Sequence, residues 1–410
     1  MIIAADILLL SALGLILFYL ATLSVLALFS QPKKDVHACR QRLFAVVIPA
    51  HNEEMIIEKT LRSLLAIDYP QDLFDVILLA DNCSDNTAEI GRSFAATVYE
   101  REDMSLRGKG HALRWCFDRL LSSGKPYDAC VVIDADSEVS DNVLHVFNHY
   151  LEHGASVVQI ADVVKPQPGA WNSEILRLAF TLYNVVRPMG KKVLGCSAGL
   201  RGNGMCFSVS TLRNVPWQAY SLTEDFEYGL MLLLQDINVV FAPEATAVNT
   251  MPTEAKNSQS QRTRWELGRL PVIKKYVPLL LREAIVRKSF KLFDAVVEIV
   301  MPPIVNILII VLMIIAAHII LLAVGNKEVL LYVWLWGVVL GFGVLHVFAG
   351  MIAVKADRSL YKALFYIPQY AVWKILLYLK LVIKGKPREW VRTTREHQSV
   401  QTPKSLLDRR

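Results

Sequence analysis

The sequence predicts an α/β domain on a mainly parallel sheet, joined to α-helical membrane segments. Three observations carry that expectation. First, the 410 residues are 53% hydrophobic and 20% charged, and the mean hydropathy is +0.35. Such a chain is too apolar for an ordinary soluble enzyme and too charged for one wholly inside lipid. Second, three long stretches carry no charge. Third, between about Leu43 and Trp265, short apolar runs that each break into polar residues alternate with helical patterns.

The uncharged stretches are "ILLLSALGLILFYLATLSVLALF" from Ile7, "IVMPPIVNILIIVLMIIAAHIILLAVG" from Ile299 and "VLLYVWLWGVVLGFGVLHVFAGMIAV" from Val329. Each exceeds the roughly 20 residues that cross about 30 Å of hydrocarbon. "MIIAAD" has no basic region and no small-x-small cleavage site precedes Gln31, so the first stretch reads as a retained helix rather than a cleaved signal. "QPKKDVHACRQR", "VIKKYVPLLLREAIVRKSFK" and "KADR" are basic flanks, whereas "MIIAAD" and "GNKE" are not. The positive-inside rule then puts the large middle region in the cytoplasm and the N-terminus outside. The expected location is the cell (inner) membrane. In that reducing compartment Cys39, Cys83, Cys116, Cys130, Cys196 and Cys206, which form no CxxC pair, read as free thiols.

In the middle region "FAVVIPAHNEE", "FDVILLADNCSD" and "DACVVIDADSE" read as strands ending in polar loops, separated by helical patterns such as "MIIEKTLRSLLAI" and "GHALRWCFDRLL". Ligands of parallel sheets bind beyond the carboxyl ends of the strands, so these loops are expected to converge on one site. The third loop sets Asp134, Asp136 and Glu138 within five positions. A divalent cation offsets such repulsion, and hard oxygen donors suit Mg²⁺ or Mn²⁺ held by one or two carboxylates plus substrate phosphates. Taken alone, the same turn also reads as a solvated cap for the next helix, with Ser137 or Asp141 as N-cap. "RGKGHAL" places Arg107 and Lys109 between glycines before a helix, a pattern suited to a diphosphate. "LTEDFEYG" supplies Glu224 and Asp225, and "QRTRW" supplies Gln261, Arg264 and Trp265.

The ordered series "PAHNEE", "DNCSD", "DAD", "TED" and "QRTRW" resembles the membrane-bound branch of glycosyltransferase family 2. That branch includes cellulose, chitin, hyaluronan and poly-N-acetylglucosamine synthases and ceramide glucosyltransferase. The resemblance covers about Phe44 to Trp265 and implies a cytoplasmic GT-A domain that binds a nucleotide-diphosphate sugar. It implies that Ala50, Glu53 and Asp81 contact base and ribose, that Lys109 lies near the nucleotide, and that Asp134 holds ribose or metal. Asp136 is the implied ligand of Mg²⁺ or Mn²⁺. Asp225, beside Glu224, is the implied general base, Arg264 the stabiliser of the leaving diphosphate, and Gln261 and Trp265 the closing, acceptor-stacking pair. "DNCSD" departs from the adjacent Asp pair of many relatives, which makes Asn82 a point of difference. "RGNGMCFS" stands where relatives carry an acceptor loop.

The chemistry asks for the same set. A nucleoside diphosphate leaving an anomeric carbon builds charge that a metal and an arginine offset, while an attacking hydroxyl needs a base. One base and no carboxylate nucleophile imply inversion. The expected domains are a membrane helix over 1–30, a GT-A domain over 43–268, interfacial amphipathic helices over 269–298, membrane helices over 299–325 and 329–354, and an interfacial helix with a basic tail over 360–410.

The expected activity is inverting transfer from a nucleotide sugar to a membrane-associated glycan or lipid acceptor. The alternatives are a processive synthase that also secretes its polymer, needing a homo-oligomer or secretion partner, and a catalytically silent nucleotide-sugar sensor. The net charge of +6 gathers near the membrane, which favours the lipid bilayer over nucleic acid as a partner. His145, His149 and His153 recur every four residues and are expected on a partly exposed helix face rather than on a metal. Asn306 and His346 fall at similar depth in their spans and predict an interhelical hydrogen bond.

Overall fold

The structure, a computed structural model, describes residues 2–30, 32–33, 36, 40–165, 171–249 and 255–374. The side chains at 2–4, 171–172 and 255–267 lie outside that description. In chain order, α1 (Ile2–Ala27) leads to β1 (Phe44–Ala50), α2 (Ile57–Leu65), β2 (Phe74–Asp81), α3 (Thr87–Ser93), β3 (Thr97–Arg101), α4 (Lys109–Ser122), β4 (Ala129–Val132), β5 (Ser137–Val139) and α5 (Val143–Glu152). There follow β6 (Val157–Val164), α6 (Trp171–Phe180), a π-helical turn over Thr181–Val186, α7 (Arg187–Val193), β7 (Met205–Ser208), α8 (Val209–Asn214), α9 (Glu224–Leu234) and β8 (Val239–Asn249). The rest is helical: α10 (Ala255–Val286), α11 (Phe290–Val300), α12 (Ile304–Ala323), α13 (Leu330–Ala353) and α14 (Arg358–Ala363).

One sheet organises the domain, in the order β3-β2-β1-β4-β7-β6-β8-β5. β3, β2, β1 and β4 are parallel. β7 runs against β4 and β6, and β5 against β8. The sheet is therefore mixed where the sequence predicts a mainly parallel one. β7 follows the tight turn at Gly202 and Gly204, both at positive φ, and enters the sheet between β4 and β6, antiparallel to both. β1 shows why the sheet is buried on both faces. Ala45 and Val47 point into a core shared with α4, while Phe44, Val46, Ile48 and Ala50 point into a second core with α2 and α5.

Ala5–Ala27, Ile304–Ala323 and Lys327–Ala353 are helices long and apolar enough to cross a membrane. The near ends of the first and third are built into the sheet domain, because Ala27 of α1 and Val347 and Met351 of α13 join the core shared with α4. α7 and the π-helical turn are wedged between these two helices. A methyl at Gly190 would stand 2.2 Å from the Leu23 carbonyl oxygen, and one at Gly350 2.6 Å from Leu182. Helix α10 is continuous across residue 268. With α11 it buries Val272, Tyr276, Leu280, Leu292 and Val296 against Phe226, Leu230 and Leu233 of α9. Of the expected interfacial helix from Leu360, the structure describes helix only as far as Lys374.

Several local expectations change. Of the three histidines expected on a partly exposed face, His145 is half-buried and His153 exposed, while His149 is buried, its ring 4.2 Å from that of His153. His346 does not pair with Asn306 but turns to α1, its Nδ1 2.6 Å from Ser24 Oγ and 3.0 Å from the Leu20 carbonyl. Neither Ser137 nor Asp141 caps α5, which starts after Asn142 with no side-chain cap. Cys83, Cys116, Cys130, Cys196 and Cys206 are free thiols, and Cys39 lies outside the described residues.

Candidate active site

The loops after β1 and β2 meet first. Ala50 closes β1, and its carbonyl accepts from Cys83 Sγ at 3.6 Å. The Glu53 amide donates to Thr87 Oγ1 at 2.8 Å, which ties the first loop to the start of α3. Asp81, buried at the end of β2, accepts from Arg101 Nη1 at 2.6 Å. Asn82 adopts a left-handed conformation at φ 50°. Its carboxamide spans the next loop, accepting from the Asp103 amide at 2.8 Å and donating to the Asp103 carbonyl at 3.2 Å. The difference at Asn82 thus has a structural use as a loop brace.

The second group gathers beyond β4. Lys109 opens α4 and forms an ion pair with Asp134, and its ammonium also donates to the Gly202 carbonyl at 2.6 Å. Glu224 and Asp225 occupy the first turn of α9, where the helix dipole favours negative charge. A methyl at Gly202 would lie 3.1 Å from an Asp225 carboxylate oxygen, so the RGNG turn forms one wall beside Asp225. At Gly110 a methyl would stand 2.2 Å from the Ala219 carbonyl and 3.3 Å from Glu224 Cβ. Only glycine lets α4 approach the 219–224 segment this closely. Gln261, Arg264 and Trp265 fall in the part of α10 whose side chains lie outside the described residues.

Electrostatics knit the group together. Burial and then the neighbouring Asp225 push the Glu224 carboxyl up to about 7. Burial raises Asp225 as well, with Lys109 and Arg201 acting against it. Burial works against the charge of Lys109, yet Asp134, Glu224 and Asp225 outweigh it and raise its pKa.

Sequence reasoning missed the support behind the acidic turn. Asp162 of β6 is buried, and it accepts from the carboxamides of Asn184 at 3.1 Å, Asn203 at 3.1 Å and Asn249 at 2.6 Å. Asn203 in turn accepts the Asp134 amide at 3.0 Å and donates to Ser137 Oγ at 3.0 Å. Burial, then Asp134 and Asp136, lift the Asp162 carboxyl well above the usual range. The one signal in the sequence is that Gln159 and Asp162 interrupt an apolar run, "VVQIADVV".

Among the described residues no three His, Cys, Asp or Glu side chains are gathered as a ready-made metal cage. The donor set nevertheless fits a hard divalent cation. Asp134 and Asp136 both act on the buried Asp162, and Lys109 is ion-paired to Asp134. Mg²⁺ and Mn²⁺ ordinarily take one or two carboxylates and complete their shell with substrate phosphates and water.

The sequence model described as "Glycosyltransferase like family 2" matches residues 41–268. A beta-monoglucosyldiacylglycerol synthase of Trichormus variabilis is 27% identical over 234 residues, 55% of this chain and 48% of that protein. A poly-beta-1,6-N-acetyl-D-glucosamine synthase of Staphylococcus epidermidis is 27% identical over 238 residues, 54% of this chain and 53% of that protein. The chain thus spans about half the length of these curated relatives. A solved mannosyltransferase of Pyrobaculum calidifontis, in complex with GDP-mannose and Mn²⁺, has a TM-score of 0.51 and 15% identity, covering 85% of this chain and 97% of that one. That likeness is one of fold and identifies a GT-A-like sheet.

Proposed function

This chain belongs to glycosyltransferase family 2, and we propose that it is an inverting membrane-bound glycosyltransferase that moves a sugar from a nucleotide-diphosphate donor to a membrane-associated glycan or glycolipid. The observation that carries the reading is the meeting of Glu224 and Asp225 with Lys109, Asp134 and the Gly202 turn at the carboxyl ends of the strands. The relatives named above act on a diacylglycerol glycolipid or make a polysaccharide, which supports an acceptor at the membrane. The basic flanks of the three apolar helices support a cytoplasmic site at the inner membrane.

In this reaction the acceptor hydroxyl gives its proton to Asp225 as its oxygen bonds to the anomeric carbon, and the bond from that carbon to the diphosphate oxygen breaks. Desolvation makes Asp225 a stronger base than an exposed carboxylate, which suits proton transfer near neutral pH. Asp136 and Asp134 are the residues to hold Mg²⁺ or Mn²⁺, which when bound offsets charge on the leaving diphosphate. Lys109 steadies the Asp134 carboxylate, and Arg264 supplies a second positive group toward the leaving group. Ala50, Glu53 and Asp81 form the nucleotide end of the site, and Gln261 and Trp265 close it over the acceptor.

The test is nucleoside diphosphate release by the purified chain in lipid nanodiscs, with Mg²⁺ or Mn²⁺ and a panel of nucleotide sugars, followed together with product size. Asp225→Asn is expected to keep donor binding and lose transfer, and Asp136→Asn to weaken metal-dependent binding. Normal turnover in both variants overturns the assignment. A ladder of lengthening products identifies a processive synthase, and one short lipid-linked product a single-transfer enzyme.

A further inference from the structure

On the membrane side of Asp225 lies a second cluster that the sugar chemistry does not use. The π-helical turn over Thr181–Val186 runs straight into α7, and such turns are frequent at functional sites. Here it places Tyr183 between two guanidinium groups, Arg201 4.3 Å and Arg187 5.0 Å from the ring centroid. Both arginines are nine-tenths buried or more. Arg201 donates through Nη2 to Glu298 at 2.8 Å and to the Ala198 carbonyl at 3.0 Å, but its Nε and Nη1 have no partner. Arg187 makes no hydrogen bond or ion pair among the described residues, and its Nε is buried. A fourth unpartnered nitrogen, Nε2 of the fully buried His346, lies within electrostatic reach of Arg187.

The ion pairs within the cluster are unevenly shared. Lys191 pairs with Asp294 at 2.8 Å and with Glu298, and Arg201 with Glu298 as well. Asp225 also acts on Arg201 and Glu298 on Arg187, yet Arg187 alone of these three cations has no ion-pair partner among the described residues. Burying an unpaired guanidinium beside another is costly, and buried N–H groups without acceptors add to that cost. Waters or sugar hydroxyls would satisfy the N–H groups but not the charge. A phosphate does both, accepting several charge-assisted hydrogen bonds at once.

The location says where such a phosphate would come from. α7 lies against α1 at Gly190 and Leu23, and the π-helical turn lies against α13 at Gly350. Leu23 and Gly350 both stand within four residues of the near ends of the candidate spans Ala5–Ala27 and Lys327–Ala353. On its other side Arg201 precedes Gly202, which abuts Asp225. The geometry points to a binding site for the phosphate of a membrane lipid at Arg187, Tyr183 and Arg201, between the ends of two membrane helices and the base. The inference stands on this cluster and not on the identity of the sugar donor.

The test uses the full chain in a phosphate-free detergent, titrated separately with dioctanoyl phosphatidate, citronellyl phosphate and dioctanoylglycerol while the thermal midpoint is followed. The phosphorylated amphiphiles are expected to raise the midpoint saturably and dioctanoylglycerol to leave it unchanged. Arg187→Gln, which keeps hydrogen-bond donors but loses the charge, is expected to raise the half-saturating concentration tenfold or more, and Arg187→Lys by less. A stronger effect of phosphatidate identifies a phospholipid headgroup, and a stronger effect of citronellyl phosphate a lipid-linked phosphate. Equal stabilisation by dioctanoylglycerol, or wild-type titration by Arg187→Gln, overturns the proposal in favour of waters or sugar hydroxyls. Where Arg187→Gln does not fold, the wild-type comparison of phosphatidate with dioctanoylglycerol decides alone. No step depends on sugar transfer, so a failed transfer assay leaves the result standing.

Discussion

Lys109, the first residue of α4, is ion-paired with Asp134, just beyond the end of β4. The same ammonium bears on Glu224 and Asp225 across the site, so one cation tempers three carboxylates contributed by two elements.

Removing it lets their repulsion act in full. In Lys109→Met the Glu224 and Asp225 carboxyls rise further, and the acid limb of the pH–rate profile moves to higher pH by about one unit. An unchanged limb would show that Lys109 does not act on the base.

Gly202 combines φ +84° with contact to Asp225. Gly202→Ala costs about 1 kcal/mol of backbone strain and displaces the carboxylate that would take the proton. A fall in kcat of tenfold or more, with little change in donor KM, is expected from steady-state kinetics.

Asn203 links Asp162 to the Asp134 amide. Asn203→Leu leaves both without that partner, at a cost of about 1–3 kcal/mol. The metal concentration for half-maximal activity should rise several-fold, whereas a purely structural role would lower the thermal midpoint alone.

Glu298 is held well below the usual carboxylate range because Lys191 and Arg201 outweigh the effect of burial. A depressed carboxyl stabilises the fold at pH above its unfolded value of 4.5 and loses that contribution as pH falls below it. Glu298→Gln leaves two buried cations short of an anion. It should cost about 3–5 kcal/mol at neutral pH and flatten the acid side of the stability curve measured by unfolding.

Glu224 works in the opposite sense. Its carboxyl is raised from 4.5 to about 7, so the folded state keeps a proton that the unfolded chain has lost in that interval. The stability it contributes is therefore present below 4.5 and declines as pH rises through about 7. Glu224→Gln should remove this decline and be more stable than the wild type at pH 8, by an amount on the order of 1 kcal/mol. A parallel pH dependence in both proteins would contradict the shift.

Much of the site was legible because its signals are local. A strand that is apolar for four to six residues and then breaks into carboxylates announces both its burial and its functional end, as "CVVIDADSEV" does. The three apolar stretches announce themselves by length and lack of charge. Asn203 in its glycine turn and Asp162 in its apolar run carry no such signal, because a lone polar residue does not name its partner.

The sequence by itself thus determined the alternation of strands and helices, the acidic loops and the three apolar helices, since each is written in periodicity and composition within a few residues, while the GT-A expectation rested on the resemblance of its ordered motifs. Only the tertiary structure decided that β7 and β5 run antiparallel, that His346 meets Ser24 rather than Asn306, and that Glu298 lies between Lys191 and Arg201. Those choices join residues as far apart as 322 positions. They are set by which charges and polar groups find partners once the chain has packed, and no local pattern encodes that.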